Sequence, residues 1–178
     1  TPTKDDRQPL SQTDNRTPVV ERRRRLSGAA PLQTLRKPKT IHDRVYGAVT
    51  LPGVLVAAMD TSEFQRLDKI RQLGGSSFVF PSATHTRKEH SVGTAHLAWL
   101  VVRHLRNTQP ELCIDDSDEL CVGLAALLHD VGHGPYSHMW GPFVRRCTGD
   151  QNYSHEGMGA RLVRRICTQI KLEEYIPG

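Results

Sequence analysis

Long apolar runs are missing from this sequence, and that absence sets the first limit. Stretches such as Gly123 to Leu128 are far short of the roughly 20 residues needed to cross a bilayer. No apolar segment near the start has the form of a secretory signal. Cysteine is scarce: Cys113, Cys121, Cys147 and Cys167 form no Cys-x-x-Cys pair, which argues against a disulfide framework or a four-cysteine zinc site and for reduced thiols. Alternating β-branched runs are few and no internal repeat is visible. Aromatics are only 6% of the chain. The sequence also lacks an initiator Met, so an N-terminus trimmed by processing is expected.

What is present is an uneven distribution of charge. The 178 residues carry a formal charge of +5, which invites a nucleic-acid reading. Residues 1–40, however, hold ten basic residues against four acidic ones, and the other 138 hold 14 against 15. The basicity belongs to a leader. Residues 1–38, rich in Pro, Thr, Arg and Gln, are expected to be disordered. Within them, Arg22 to Arg25 read as a nuclear import signal, as a patch for RNA or DNA, or as a solvated basic run. A nuclear or cytoplasmic location is expected. A mitochondrial leader stays open, although Asp5, Asp6, Asp14 and Glu21 weigh against it.

From residue 39 onward the patterns are helical, and the expected class is all-α with one short hairpin. Residues 41–51 read as extended around Gly47. Pro52 suits the first turn of a helix through Met59. Asp60 to Glu63 supply a cap, followed by Phe64, Leu67, Ile70 and Leu73 in three-residue steps that predict a helix closed by Gly74-Gly75. Phe78-Val79-Phe80-Pro81 reads as a short buried turn or strand. A long helix is predicted from Lys88 to Arg106, with Val92, Ala95, Trp99, Val102 and Leu105 on one side. Asp115, Asp116 or Ser117 caps the next, whose Leu120, Cys121, Leu124, Ala125, Leu127 and Leu128 run into His129. A last helix starts near Ser154, with Met158, Leu162, Ile166 and Ile170 at four-residue steps.

Nine histidines are many for this length, and their placement carries the chemistry. His129, His133 and His138 fall within ten residues, His90 begins the long helix, and His155 begins the last. Adjacent residues on a helix point about 100° apart, so His129-Asp130 at a helix end can present two donors to one ion. A neutral imidazole with a carboxylate suits a borderline divalent cation. A third donor must come from elsewhere, and His90 is the natural candidate.

The run His129-Asp130-Val131-Gly132-His133-Gly134-Pro135-Tyr136-Ser137-His138 resembles the signature of the HD-domain metal-dependent phosphohydrolases. More closely it resembles the deoxynucleoside triphosphate triphosphohydrolases among them, and their sterile-alpha-motif branch in particular. Five further segments match in order: Asp60-Thr61 with Phe64-Gln65-Arg66-Leu67, Gln72-Leu73-Gly74-Gly75, Phe80-Pro81, Thr84 to Ser91 with Gly93, and Ser154-His155-Glu156-Gly157. The resemblance covers about residues 40–170, so residues 39–178 are expected to be the N-terminal portion of an HD domain.

The resemblance implies hydrolysis of a dNTP at its α-phosphorus, releasing deoxynucleoside and triphosphate, as a control on dNTP pools. It implies a divalent metal (Mn, Fe, Zn or Mg) on His90, His129 and Asp130. Arg87 would hold phosphates, and Gln72 and Leu73 would contact the sugar. His133 and His138 would flank the scissile phosphate, and His155 would protonate the leaving oxygen. Asp60 and Gln65 match a regulatory guanine-nucleotide site in a homo-oligomer. Three departures accompany these matches. The family's fourth ligand, an aspartate roughly a hundred residues past the doublet, has no counterpart, because the sequence ends 48 residues after Asp130; weak or no turnover by this piece alone is therefore expected. Glu173 and Glu174, the nearest late carboxylates, read as a solvated helix end. Gly141 stands where an acidic residue is expected, with Asp150 in an ordinary loop nearby. Asp68 replaces an arginine and His42 an asparagine at the regulatory site, so guanine-nucleotide activation is expected to be altered or absent. Two other functions fit the same residues: a nucleotide or nucleic-acid binding module without turnover, and a hydrolase of nucleoside monophosphates or cyclic phosphodiesters.

Overall fold

The computed structural model describes residues 37–175. The leader assigned to residues 1–38, with its Arg22 to Arg25 run, lies outside the described residues except for Lys37 and Pro38. The described residues form six α-helices and one two-stranded sheet, as expected of an all-α domain with a hairpin. Strands β1 (Lys39–Asp43) and β2 (Gly47–Leu51) pair antiparallel, Ile41 opposite Val49. The turn between them closes on the Asp43 carboxylate, which accepts from the amides of Val45 (2.7 Å) and Tyr46 (2.9 Å).

Helix α1 (Gly53–Met59) follows Pro52 directly, and α2 (Ser62–Gln65) is a single turn capped by Thr61. The helix predicted to continue through Leu73 does not form. Arg66–Lys69 tighten into a 3-10 turn and Ile70 is extended. Arg71 then bridges to Thr86, and the Gln72 amide donates to the His85 carbonyl. The physical reason lies in the three-residue step itself, which is the 3-10 repeat rather than the 3.6 of an α-helix. Leu73 therefore ends up half exposed rather than on a helical core face.

The apolar run after Gly75 is a second correction. Phe78, Val79 and Phe80 are 87%, 74% and 64% exposed, around a 3-10 turn at Ser76–Phe78. Apolar character over three residues predicts burial only where a neighbouring element comes to cover it.

Helices α3 (Arg87–Thr108) and α4 (Asp116–Leu128) form a hairpin that is the backbone of the domain. Both start at reciprocal capping boxes, Thr86 with Glu89 and Asp115 with Asp118, which satisfy amides that a helix start leaves free. Val92 and Ala95 of α3 face Leu120, Leu124, Leu127 and Leu128 of α4 in one core, while Cys121 and Ala125 turn outward instead of lining it. Helix α5 (Trp140–Thr148) ends at Gly149, and α6 (His155–Gln169) is capped by Ser154 and anchors Ile166 in the core. None of the four cysteines is in a disulfide. Among the described residues no helix is long and apolar enough to cross a membrane.

Candidate active site

The α3–α4 hairpin decides where the donors meet. His90 lies in the first turn of α3, and His129 terminates α4, so the antiparallel packing places them opposite each other. Their Nε2 atoms are 3.2 Å apart, and Asp130 Oδ2 is 3.5 Å from His90 Nε2 and 3.2 Å from His129 Nε2. Ligand atoms at about 2.1 Å from one ion are roughly 3.0 Å apart at right angles and roughly 3.4 Å apart at the tetrahedral angle. The three donors thus have the spacing of one coordination sphere, and the set fits a divalent cation. His129 Nδ1 donates to the Ala126 carbonyl at 2.8 Å, which fixes the ring and leaves Nε2 as the free donor.

Electrostatics around the carboxylate favour a permanently ionised Asp130. Burial alone would raise its pKa. The imidazoles of His129 and His133, 3.2 and 3.4 Å away, and the charge of Arg87 overcome that and hold it far below the usual carboxylate range. His129 is pushed up, chiefly by its hydrogen bond with Asp130. His90 is pushed down by burial and by the neighbouring His129 and Arg87, although Asp130 pulls the other way.

A second cluster adjoins the first through Asp130, whose Oδ1 is 3.4 Å from His133 Nε2. His133 is buried, stacks on His155 (ring centroids 3.9 Å apart) and meets His138 edge-on at 4.9 Å. Gly132 makes this possible. A Cβ there would lie 1.9 Å from the His155 carbonyl oxygen and 2.4 Å from the Gly159 amide, so only glycine lets α6 approach. Burial and the adjacent His133 lower the His155 pKa.

Arg87 is where the sequence expectation needs qualifying. Its side chain is 1% exposed, and its guanidinium is engaged with Asp130 Oδ2 and Ser137 Oγ rather than facing open solvent. Gln72 reaches the same network through its backbone, whose carbonyl accepts from Ser137 Oγ at 2.9 Å. Leu73 stands exposed nearby in sequence. Neither Glu173 nor Glu174 joins either cluster; Glu174 pairs with Lys171 at 3.3 Å. Two residues escaped the sequence reading. Ser137 is the hub between Arg87 and Gln72. Arg66 donates to the His133 carbonyl at 2.7 Å and also to the Val131 carbonyl, tying the turn after Asp130 to the chain before α3. Both sit inside the recognisable motifs, but nothing in residue type separates a tethering Ser or Arg from a surface one.

Asp60, Gln65 and Asp68 are brought together in another cleft, of about 360 Å³, with His42 and Lys88. Gln65 is satisfied within the protein there, donating to the Met59 carbonyl (2.7 Å) and accepting from Lys88 Nζ (2.9 Å). Asp68 lies 3.9 Å from Lys88 and 3.8 Å from Lys69.

A helical domain whose central hairpin gathers two imidazoles and a carboxylate at coordination spacing, with three more imidazoles alongside, has the donors to hold a divalent ion. The HD domain family model matches residues 87–176, half of the chain, and the chain belongs to that family. Its sequence is similar to the deoxynucleoside triphosphate triphosphohydrolase SAMHD1 of Gallus gallus, 44% identical over 155 residues that make up 84% of this chain and 25% of the relative. It is similar to SAMHD1 of Homo sapiens, 47% identical over 119 residues (66% and 19%), and to the SAMHD1 homolog of Dictyostelium discoideum, 39% identical over 137 residues (77% and 27%). The chain thus spans about a quarter of the length of these curated relatives.

Proposed function

We propose that this chain carries the metal-binding and proton-transfer face of a dNTP triphosphohydrolase. The observation that carries this reading is the junction of the two clusters at Asp130: one carboxylate shared between a three-donor cation site and a histidine stack. His90, His129 and Asp130 would hold the ion, with Mn, Fe, Zn or Mg as candidates. When bound, it would supply an activated water and offset charge building at phosphorus.

The chain's own residues do the rest. His133 and His138 present ring N–H groups beside the α-phosphate. Water adds at phosphorus, the bond to the 5′ oxygen breaks and that oxygen takes a proton from His155, while the proton lost by the attacking water goes to solvent, from which His155 is reprotonated. Burial has lowered the proton affinity of His155; the approach of a polyphosphate anion raises it again. Arg87 balances the Asp130 charge and is held by Ser137; to take a phosphate, as the family resemblance implies, its guanidinium would have to turn from these partners. Gln72 and Leu73 are assigned to the sugar side.

The test is to incubate the full-length protein with each dNTP and Mn or Mg and to identify the products. Deoxynucleoside plus triphosphate supports the reading; orthophosphate points to another hydrolase, and no product to a binding module. His129→Ala should abolish both metal content and activity, whereas His155→Ala should keep the metal and lose about 100-fold or more in rate. The Asp60 cleft is lined by four carboxylates (Asp43, Asp60, Asp68 and Glu89) against three cations (Lys39, Arg44 and Lys88), a balance that disfavours a phosphate. Guanine-nucleotide activation is therefore expected to be altered or absent, and tetramer formation on adding GTP, seen by size-exclusion chromatography, would overturn that.

A further inference from the structure

The cleft beside the histidine stack, about 280 Å³ in volume, is lined by one cation to which neither the motifs nor the metal site assigns a role. Arg145, on the last turns of α5, folds its guanidinium back over Gly141, whose missing Cβ would lie 3.3 Å from Nη1. The same nitrogen donates to the Tyr153 carbonyl at 2.9 Å, which fixes the group between α5 and the loop leading to His155. A guanidinium has five N–H donors, and this contact occupies one. Among the described residues Arg145 makes no ion pair.

Three imidazoles so close together could equally serve a cation. The fixed positive charge of Arg145 in the same cleft decides for an anion. Glu156 also lines the cleft, but its side chain is 72% exposed and lies 3.3 Å from His155 Nε2, so its charge faces solvent and an imidazole rather than the guanidinium. We propose that Arg145 is a polyphosphate-binding residue of this cleft, clamping the phosphates beyond the scissile one while His133, His138 and His155 face the reacting centre. A Cβ at Gly141 would make the guanidinium give by only a few tenths of an ångström, so the glycine leaves it room rather than fixing its place. The assignment rests on the triphosphohydrolase reading for its substrate, but its test does not depend on turnover.

That test is calorimetric titration of the full-length protein with inorganic tripolyphosphate, for wild type, Arg145→Ala and Arg145→Gln. Glutamine keeps an N–H for the Tyr153 carbonyl and loses the charge. If Arg145 binds phosphate, both variants weaken Kd about tenfold or more, and the difference from wild type shrinks as salt is raised. If Arg145 only holds the loop, Arg145→Gln binds as wild type does, and the proposal is overturned. Failure of the wild-type protein to bind tripolyphosphate would overturn it as well. An unchanged thermal midpoint for Arg145→Gln establishes that the loss is not unfolding. A protein that binds tripolyphosphate through Arg145 yet leaves dNTPs intact would instead refute the reaction assignment alone.

Discussion

Ser137 shows how much one side chain can organise. It and Tyr136 occupy the left-handed region in succession, at φ +61° and +59°, a conformation that costs about 1–3 kcal/mol for each non-glycine residue. The return on that strain is a buried hydroxyl that accepts from Arg87 and donates to the Gln72 carbonyl. Ser137→Ala should lose about 1.5–3 kcal/mol of stability, the range for a hydrogen bond to a charged group. Ser137→Gly should recover part of this by relieving the backbone, yet recover none of the activity; thermal melts and dNTP assays on both variants separate the two effects. His155 offers a second prediction at this scale. Its folded pKa lies below the ordinary value because of burial and the adjacent His133, so protonation disfavours the folded state. The stability it contributes is present above its unfolded pKa of about 6.5 and is lost as pH falls below it. Wild-type protein should therefore lose more stability between pH 7 and pH 5 than His155→Gln does, measured by denaturant titration at each pH.

Elements, rather than residues, set how close the two clusters come. Helix α6 lies against the turn after Asp130 through Gly132 and Gly159, and the consequences of adding one methyl differ between the two. At Gly132 the Cβ would collide with the His155 carbonyl, whereas at Gly159 it would sit 3.6 Å from the nearest atom, an ordinary contact. Gly132→Ala should push α6 away at a cost of about 3 kcal/mol or more. It should depress hydrolysis while leaving metal affinity nearly intact, because the proposed donors come from α3 and the end of α4, none from α6. Gly159→Ala should be close to wild type in both assays. Helix starts were the part of this architecture most legible in the sequence: Thr61, Asp115 and Ser154 each cap a helix where residue type alone placed a boundary, whereas the Thr86 and Glu89 box went unread. The convergence of His90, His129 and Asp130 was legible too, since a doublet at a helix end and a histidine opening the preceding helix leave few geometries. Tertiary relationships were hidden. Nothing local says that Ile70 and Arg71 leave the helix to pair with Thr86, that Phe78 to Phe80 face outward, or that Arg145 turns back over Gly141.

At the scale of the whole molecule, the cluster of His90, His129 and Asp130 lies on the same hairpin as the core. His90 belongs to α3 and His129 to α4, and one turn further along these helices Val92, Ala95, Leu124, Leu127 and Leu128 pack together. An ion bound there would bridge the two elements that hold the domain folded, so its binding free energy adds to global stability. At a hundredfold excess over Kd the gain is about 2.7 kcal/mol, which for a domain of this size raises Tm by about 5–10 °C. The donor set orders the expected response: Mn, Fe and Zn accept imidazole readily, and Mg should shift Tm least. Two substitutions separate the ion from the protein charges around it. His90→Gln removes a partly exposed donor, so the starting Tm should hardly move while the metal-induced rise disappears. Asp130→Asn also removes the partner of the fully buried Arg87. Leaving that cation unpaired costs about 3–5 kcal/mol, and the starting Tm should fall as well. A calorimetric scan of the three proteins with and without Mn would decide between them, and a rise retained in His90→Gln would mean that the ion binds elsewhere.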